Sequence, residues 1–336
     1  MVNAEELTRL LKKALAARRP LIDEGSDNGR YGGACRLFNG HLEGCPELVI
    51  DLYESTLLFH ACDAAASIAP LIDAAKEFLL ARLTWVKAIV LKDRKATDTA
   101  AQKGCLIHDR AMPDDRVREY GVWYALDLLM NQDASFYLDT RNLRHWLLEQ
   151  MAGKSVLNTF AYTGSLGIAA QAAGATRVLQ TDLNRRFLNV ARRSCILNGF
   201  PVDKRNFQIA DFWPQMSRLK RTGQRFDCII LDPPFFSETP KGTIDLARDS
   251  VRLINKVRPL VNSGGRIVTV NNALFLSGAE YMHSLESLCT DDHVEIVELI
   301  PVPDDTVGYQ ETRQTPPVTD PAPFNHATKI AVLRIR

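Results

Sequence analysis

The stretch KSVLNTFAYTGSLGIAAQAAGATRVLQTD, residues 154–182, decides the fold. An apolar run of strand length gives way to small residues around Gly164, then to a helical segment, then to a second apolar run that ends on Asp182. Two such runs joined by one helix predict parallel strands linked by a right-handed crossover. The pattern extends in both directions. Upstream, NLRHWLLEQM places Leu143, Trp146, Leu147 and Met151 on one helix face. Downstream, NRRFLNVARRSCILNG, FWPQMSRLK and TIDLARDSVRLINKVRPLV predict helices, and NFQIAD, FDCIILD and GRIVTVNN predict strands. Two further strands, HVEIVELI and TKIAVLRI, flank a long loop from Pro301 to Ala327. That loop holds six of the sixteen prolines and is expected to return over the sheet edge. Residues 121–336 therefore predict an α/β domain with a doubly wound, mostly parallel seven-stranded sheet.

Residues 1–120 predict a smaller N-terminal α/β domain. ELVIDLY, STLLFHA and KAIVLKD have strand character, SIAPLIDAAKEFLLARL is helical, and ATDTAAQKGCLIHDRAMPDD forms a loop before the strand VWYALDLL. The start, MVNAEELTRLLKKALAARRP, is a charged amphipathic helix with Leu7, Leu10, Leu11, Ala14 and Leu15 on one face; it lacks the features of a signal peptide. At 46% apolar and 24% charged, the 336 residues have the composition of a soluble globular protein. No run approaches the ~18–20 apolar residues of a membrane span. The seven cysteines are scattered and never form a CxxC pair, which argues against a disulfide framework or a metal site and for a reducing, cytoplasmic setting. A net charge of +1 gives no global pull on nucleic acid, so such a partner needs a local patch.

Chemistry gathers where the strands end. Ligand crevices open at the carboxyl ends of parallel strands. The first strand runs into Asn158, Phe160, Tyr162, Thr163 and Gly164, where a ligand can approach backbone N–H groups. The second ends on Asp182 and Leu183, with the acid suited to both hydroxyls of a ribose. The third ends on Asp211, with Phe212 and Trp213 as an aromatic wall for an adenine. The fourth ends on Asp232, Pro233, Pro234 and Phe235. Any one of these acids also suits a helix N-cap, and Asn184 or Asp182 competes for that role ahead of Arg185. One glycine falls short of the pyrophosphate loop GxGxxG. An adenosine without a pyrophosphate, S-adenosylmethionine, is the natural ligand, with NAD as the alternative.

At LNTFAYTGS, TD, IADFW and LDPPFFS the chain resembles class I S-adenosylmethionine-dependent methyltransferases of the 23S rRNA base-methylating group, with a Rossmann-like fold. The likeness runs from about Arg36 to the end, and ACRLFNGHLEGCPELVIDLYESTLLFH looks like the small central domain of those enzymes. FYLDTRNLR is similar to a segment that lines the methionine end of the cofactor, which implies such roles for Tyr137, Asp139 and Arg141; Thr140 departs from the usual Gln or His. The amino-terminal PUA domain of the cytosine-C5 relatives has no counterpart here. Those relatives also carry a cysteine after the fifth strand, because carbon-5 of a pyrimidine becomes nucleophilic only when a thiolate adds to the ring. Asn272 occupies that place, and Cys195 and Cys228 read as small core residues, so carbon methylation is rejected.

The pair Asn271–Asn272 instead resembles the guanine-N7 half of the bifunctional rRNA guanine enzyme. A base nitrogen needs no covalent adduct. Asp232 and the Pro233 carbonyl supply acceptors, Phe235 a stacking wall, and Asn272 a contact to the base edge. The resulting expectation is methylation of a base nitrogen, with guanine preferred, in 23S rRNA or a pre-ribosomal particle. Arg185–Arg186, Arg192–Arg193, Arg218–Arg221 and the amino-terminal KKALAARR are the basic candidates for RNA contact. Two alternatives stay open: a protein or small-molecule N-methyltransferase of the same fold, and an RNA-binding ribosome-assembly factor that keeps the cofactor pocket.

Overall fold

The computed structural model describes residues 2–24, 26–27, 30–31, 33–290 and 293–336. The chain divides into two compact units, one of residues 1–138 with 303–316 and one of residues 139–302 with 317–336. The sequence pattern predicts a single boundary at 120/121. The observed one lies later because the hairpin Arg116–Glu119/Val122–Ala125 and the turns after it pack with the first unit.

The first unit is built on a five-stranded sheet in the order Ala34–Asn39, Leu48–Tyr53, Thr56–Ala61, Ala88–Asp93, Cys105–Asp109. Pairing is antiparallel except between Thr56–Ala61 and Ala88–Asp93, which run parallel and are joined through the helix Ala69–Arg82. The stretch expected as a loop, residues 96–115, contains the helix Thr99–Lys103 and the strand Cys105–Asp109; the helix is capped by Asp98. The amino-terminal helix Ala4–Glu24 buries Leu7, Leu10, Leu11 and Ala14 as its spacing predicts. Its Arg18 is also fully buried. The guanidinium forks onto both Glu43 carboxylate oxygens at 2.9 Å and donates to the carbonyls of Arg36 and Asp305. Asp305 in turn accepts the Arg36 amide at 2.8 Å, which ties residues 303–316 into this unit. The Pro301–Ala327 loop therefore does not simply return over the sheet edge; its middle section belongs to the first unit.

The second unit carries the expected sheet. Its strands are β1 (Ser155–Thr159), β2 (Arg177–Asp182), β3 (Phe207–Ile209), β4 (Phe226–Leu231), β5 (Val261–Asn271), β6 (Val294–Leu299) and β7 (Lys329–Ile335), in the order 3-2-1-4-5-7-6. The first five are parallel, and β7 lies antiparallel between β5 and β6. Connecting helices α1 (Arg141–Gln150), α2 (Ser165–Ala172), α3 (Arg185–Leu197), α4 (Phe212–Arg221) and α5 (Leu246–Val257) fall where periodicity predicts, with one exception. The helix expected from Thr243 begins at Leu246, because Phe236–Thr239 and Gly242–Asp245 pair as a hairpin and Asp245 caps the helix behind it. A further helix, α6 (Gly278–Glu286), went unread although Ser277 and Glu280 form a capping box. No helix among the described residues is long and apolar enough to cross a membrane.

Removing one partner of a buried ion pair leaves the other charge uncompensated, at a cost of about 3–5 kcal/mol. Glu43→Ala should therefore destabilise the first unit on that scale in urea denaturation. A loss under about 1 kcal/mol, typical of an exposed pair, would show that the Arg18 fork is dispensable.

Candidate active site

Register sets the site. Thr159 of β1 pairs with Thr181 of β2 on one side and Leu231 of β4 on the other, and Leu231 pairs with Thr269 of β5. The parallel strands thus leave the sheet at one level. Asp182 is the last residue of β2, Asp232 follows β4 directly, and Asp211 comes two residues after β3. All three acids lie along the same carboxyl edge.

Beyond β1 the chain turns sharply, with positive φ at Phe160 (51°), Tyr162 (51°) and Gly164 (80°). Non-glycine residues in that region are uncommon and cluster at functional sites. A Cβ on Gly164 would sit 2.5 Å from both the Ala191 Cβ and the Gln180 Oε1, so the position admits only glycine. The turn aims the Tyr162 amide at Asp182, whose Oδ2 accepts it at 2.8 Å while Oδ1 accepts the Asn184 amide at 2.8 Å. Burial raises the Asp182 carboxyl pKa, against the pull of these amides. The cap of α3 is Asn184, which accepts the Arg186 amide at 2.9 Å, so Asp182 is not the N-cap. Asp211 does cap α4, accepting the Trp213 amide at 3.0 Å. Phe212 is buried and stacks on Phe160 with ring centroids 4.7 Å apart, while Trp213 lies under the Arg252 guanidinium at 4.2 Å. Leu183 is exposed and Asn158 is buried beside Gln180. Thr163 is buried, and the Tyr162 ring meets Phe187 edge-on.

The loop after β4 is held from behind. The Phe235 carbonyl accepts the Leu246 amide at 2.9 Å, and the Leu246 carbonyl accepts Asn271 Nδ2 at 3.2 Å. Asn271 also donates to Ser250 Oγ at 2.9 Å and accepts the Ala273 amide at 3.0 Å. One fully buried amide thus joins the loops after β4 and β5. Lys329 of β7 reinforces the second loop by donating to the Ala273 carbonyl at 3.1 Å. Asn272 itself is exposed. The doubled asparagine marks this place in the sequence and points to Asn272, whereas the buried clamp is its neighbour Asn271. Around this point Phe235, Phe236, Leu274 and Phe275 are all exposed, Phe275 by 75%. Pro233 is buried and Pro234 exposed.

Of the residues taken from FYLDTRNLR, Asp139 accepts the Thr328 hydroxyl at 2.7 Å, Arg141 is buried at the start of α1, and Thr140 accepts Arg144 Nη1 at 2.8 Å. Tyr137 falls in the first unit, where its hydroxyl meets Asp133 at 3.1 Å. Burial, together with the negative charge of Asp139, pushes the Asp232 carboxyl up to about 7. Burial raises the thiols of Cys195 and Cys228 to about 11 and about 12, away from the thiolate form.

Residues 80–303 match the model of the S-adenosylmethionine-dependent methyltransferase family. The chain belongs to that family. S-adenosylmethionine is accordingly its cofactor. The edge suits a cationic nucleoside that lacks a pyrophosphate: two neighbouring carboxylates, Asp139 and Asp232, and a β1 turn with one glycine. Among relatives, the chain is 26% identical over 299 residues to ribosomal RNA large subunit methyltransferase I of Photobacterium profundum, covering 88% of this chain and 74% of that one. It is 37% identical over 156 residues to ribosomal RNA large subunit methyltransferase K/L of Shewanella pealeana, covering 46% and 22%. A solved putative methyltransferase from Streptococcus mutans superimposes with a TM-score of 0.81 at 20% identity, over 100% of this chain and 82% of that one, which shows a common fold.

A carboxyl titrating near 7 is neutral below that pH and anionic above it. Affinity for the sulfonium of S-adenosylmethionine should therefore rise as pH climbs through about 7 and then level off. The uncharged thioether of S-adenosylhomocysteine should show no such rise, and Asp232→Asn should abolish the rise for S-adenosylmethionine. Calorimetric titrations would test this; identical pH profiles for the two ligands would remove Asp232 from the sulfonium's surroundings.

Proposed function

We propose that the protein methylates a base nitrogen, with guanine as the base, in large-subunit ribosomal RNA, acting in the cytoplasm on free RNA or on an assembling particle. The observation that carries this reading is the loop Asp232–Phe235, hydrogen-bonded through Leu246 to Asn271 at the carboxyl edge of the sheet. A loop fixed in this way loses little entropy when a planar base docks. When bound, S-adenosylmethionine supplies an electrophilic methyl group. The chain's own residues hold and orient. Asp182 takes the ribose hydroxyls, Asp211 the adenine amino group, and residues from Asn158 to Gly164 surround the methionine part, with Asp139 and Arg141 at its far end. Asp232 and the Pro233 carbonyl accept hydrogens from the acceptor base, so that its lone pair faces the methyl group. Asn272 contacts the base edge.

Four exposed apolar side chains favour an aromatic acceptor over an amine on a flexible chain. Phe235, Phe236, Leu274 and Phe275 border the loops where a base would stack; stacking of this kind is worth ~1–3 kcal/mol per base. The buried, thiol-protonated cysteines speak against a covalent route to carbon. The names of the relatives support ribosomal RNA as the substrate.

Tritiated methyl transfer to rRNA from cells lacking the protein, followed by nucleoside mass mapping, tests the reading directly. Label on carbon, or on no RNA fraction, would overturn it. Asp182→Ala should weaken S-adenosylmethionine binding at least about ten-fold, a loss on the scale of a charge-assisted hydrogen bond. Asn272→Ala should leave that affinity near wild type and slow transfer. Normal turnover by Asn272→Ala would remove its contact with the acceptor.

A further inference from the structure

The sheet unit is electrically lopsided. Residues 177–225, from the start of β2 to the turn before β4, hold eleven Lys and Arg against three Asp and no Glu, in a chain of net charge +1. Two of those acids, Asp182 and Asp211, lie at the carboxyl edge, and the third, Asp203, is bonded to Arg205 at 2.8 Å. Neither α3 nor α4 contains an acid. A face that is merely solvated interleaves both signs; this one does not.

Most of these bases gather at the opposite end of the sheet. Crossover helices run antiparallel to their strands, so the last turn of α4, with Lys220 and Arg221, leads through Gly223 to Arg225 and the amino end of β4. Arg177 opens β2, and its guanidinium meets Gln224 Oε1 at 2.8 Å and faces the Phe226 ring at 5.5 Å. Arg225 donates to the Val261 carbonyl at 3.1 Å, which draws it toward Arg258. There a cleft of 240 Å³ opens, lined by Arg225, Arg258, Ser263, His293 and Arg336 among others. Of the acids at this end, Asp227 is engaged by Ser155 and Asn262, and Glu295 by Arg334 and Arg336. Asp291 and Asp292, next to His293 in the sequence, lie outside the described residues. Arg177, Lys220, Arg221 and Arg225 are exposed.

We propose that this amino-end edge, centred on Arg177, Lys220, Arg221, Arg225 and Arg258, binds the phosphodiester backbone of the RNA substrate, apart from the edge where methyl transfer takes place. The proposal rests on the reading that the substrate is RNA. Guanidinium forks match phosphate geometry, and phosphate contacts position a nucleic acid without reading its sequence. Strands of five or six residues separate the two edges by about 17–20 Å. A short oligonucleotide seated in the acceptor loop leaves the basic edge empty, whereas a folded RNA reaches both. The edge therefore selects for size and fold, and the acceptor loop for the base.

The test compares the wild-type protein with a Lys220→Gln/Arg221→Gln/Arg225→Gln variant, and with Lys95→Gln/Lys103→Gln/Arg110→Gln as a control for the loss of three charges elsewhere. The probes are a long large-subunit rRNA transcript and a short oligonucleotide, titrated across a salt series, with S-adenosylmethionine titration to verify the fold. The triple variant should bind the transcript at least about ten-fold more weakly, with a salt slope shallower by about two to three, since each lost phosphate contact removes roughly 0.7–0.9. Binding of the short oligonucleotide and of the cofactor should be unchanged. Wild-type affinity and slope for the transcript, or a loss no greater than in the control, would overturn the proposal. If the wild-type protein methylates RNA while the triple variant binds the transcript normally, the basic edge fails alone. If the wild-type protein labels no RNA and the triple variant still loses transcript binding, the methylation reading fails and the edge stands.

Discussion

The register of β1 against β2 and β4 is the constraint on which the site depends. With Thr159, Thr181 and Leu231 side by side, three parallel chains leave the sheet together. The Thr159 hydroxyl locks that alignment by donating to the Ile230 carbonyl at 2.8 Å. A slip of one residue would turn every inward side chain outward, and it would carry the Tyr162 amide away from Asp182. The positive φ angles beyond β1 are tolerated because the ladder below and Gln180 beside Gly164 leave the chain no other course.

The second layer of control is polar and buried. Asn271 is fully enclosed, and both ends of its amide are bonded. A buried amide with its partners in place fixes geometry, because each broken bond would leave an unpaired group in a dry interior. Through Leu246 this amide reaches the Phe235 carbonyl, so the helix α5, the hairpin before it and the strand β5 together back the loop Asp232–Phe235. Exposed aromatic rings are uncommon on a soluble surface unless something covers them. Phe235, Phe236 and Phe275 stand exposed on the segments that the clamp joins.

Charge divides the same sheet along its length. The carboxyl edge is acidic, with Asp139 and Asp232 near enough in effect for one to raise the pKa of the other. The amino edge is basic. On the proposed readings, a cationic cofactor and an anionic polymer would be drawn to opposite ends of the same strands. Parallel strands make this separation available, because all their carboxyl ends face one way.

Helix and strand periodicity fixed most of the second unit in advance. Apolar runs of five or six residues alternating with amphipathic helices admit few arrangements, and the acids at the strand ends were legible as a single edge. The family motif around Asp232 and the absence of a cysteine after β5 were also there to be read. The hairpin at 236–245 was not, because its four-residue strands pair only with each other and send a single apolar residue, Ile244, into the core. Nor was the assignment of 303–316 to the first unit, which follows from Arg18 and Asp305 meeting across almost the whole chain. The same holds for Asn271. In sequence it is one half of an asparagine pair; only packing decides which half is buried and which faces solvent, since hydrogen-bond partners such as Leu246 and Ser250 are brought to it by the fold. Sequence determined the elements and the residue types at their ends. Tertiary structure decided which polar groups are paired, because pairing depends on distances between segments far apart in the chain.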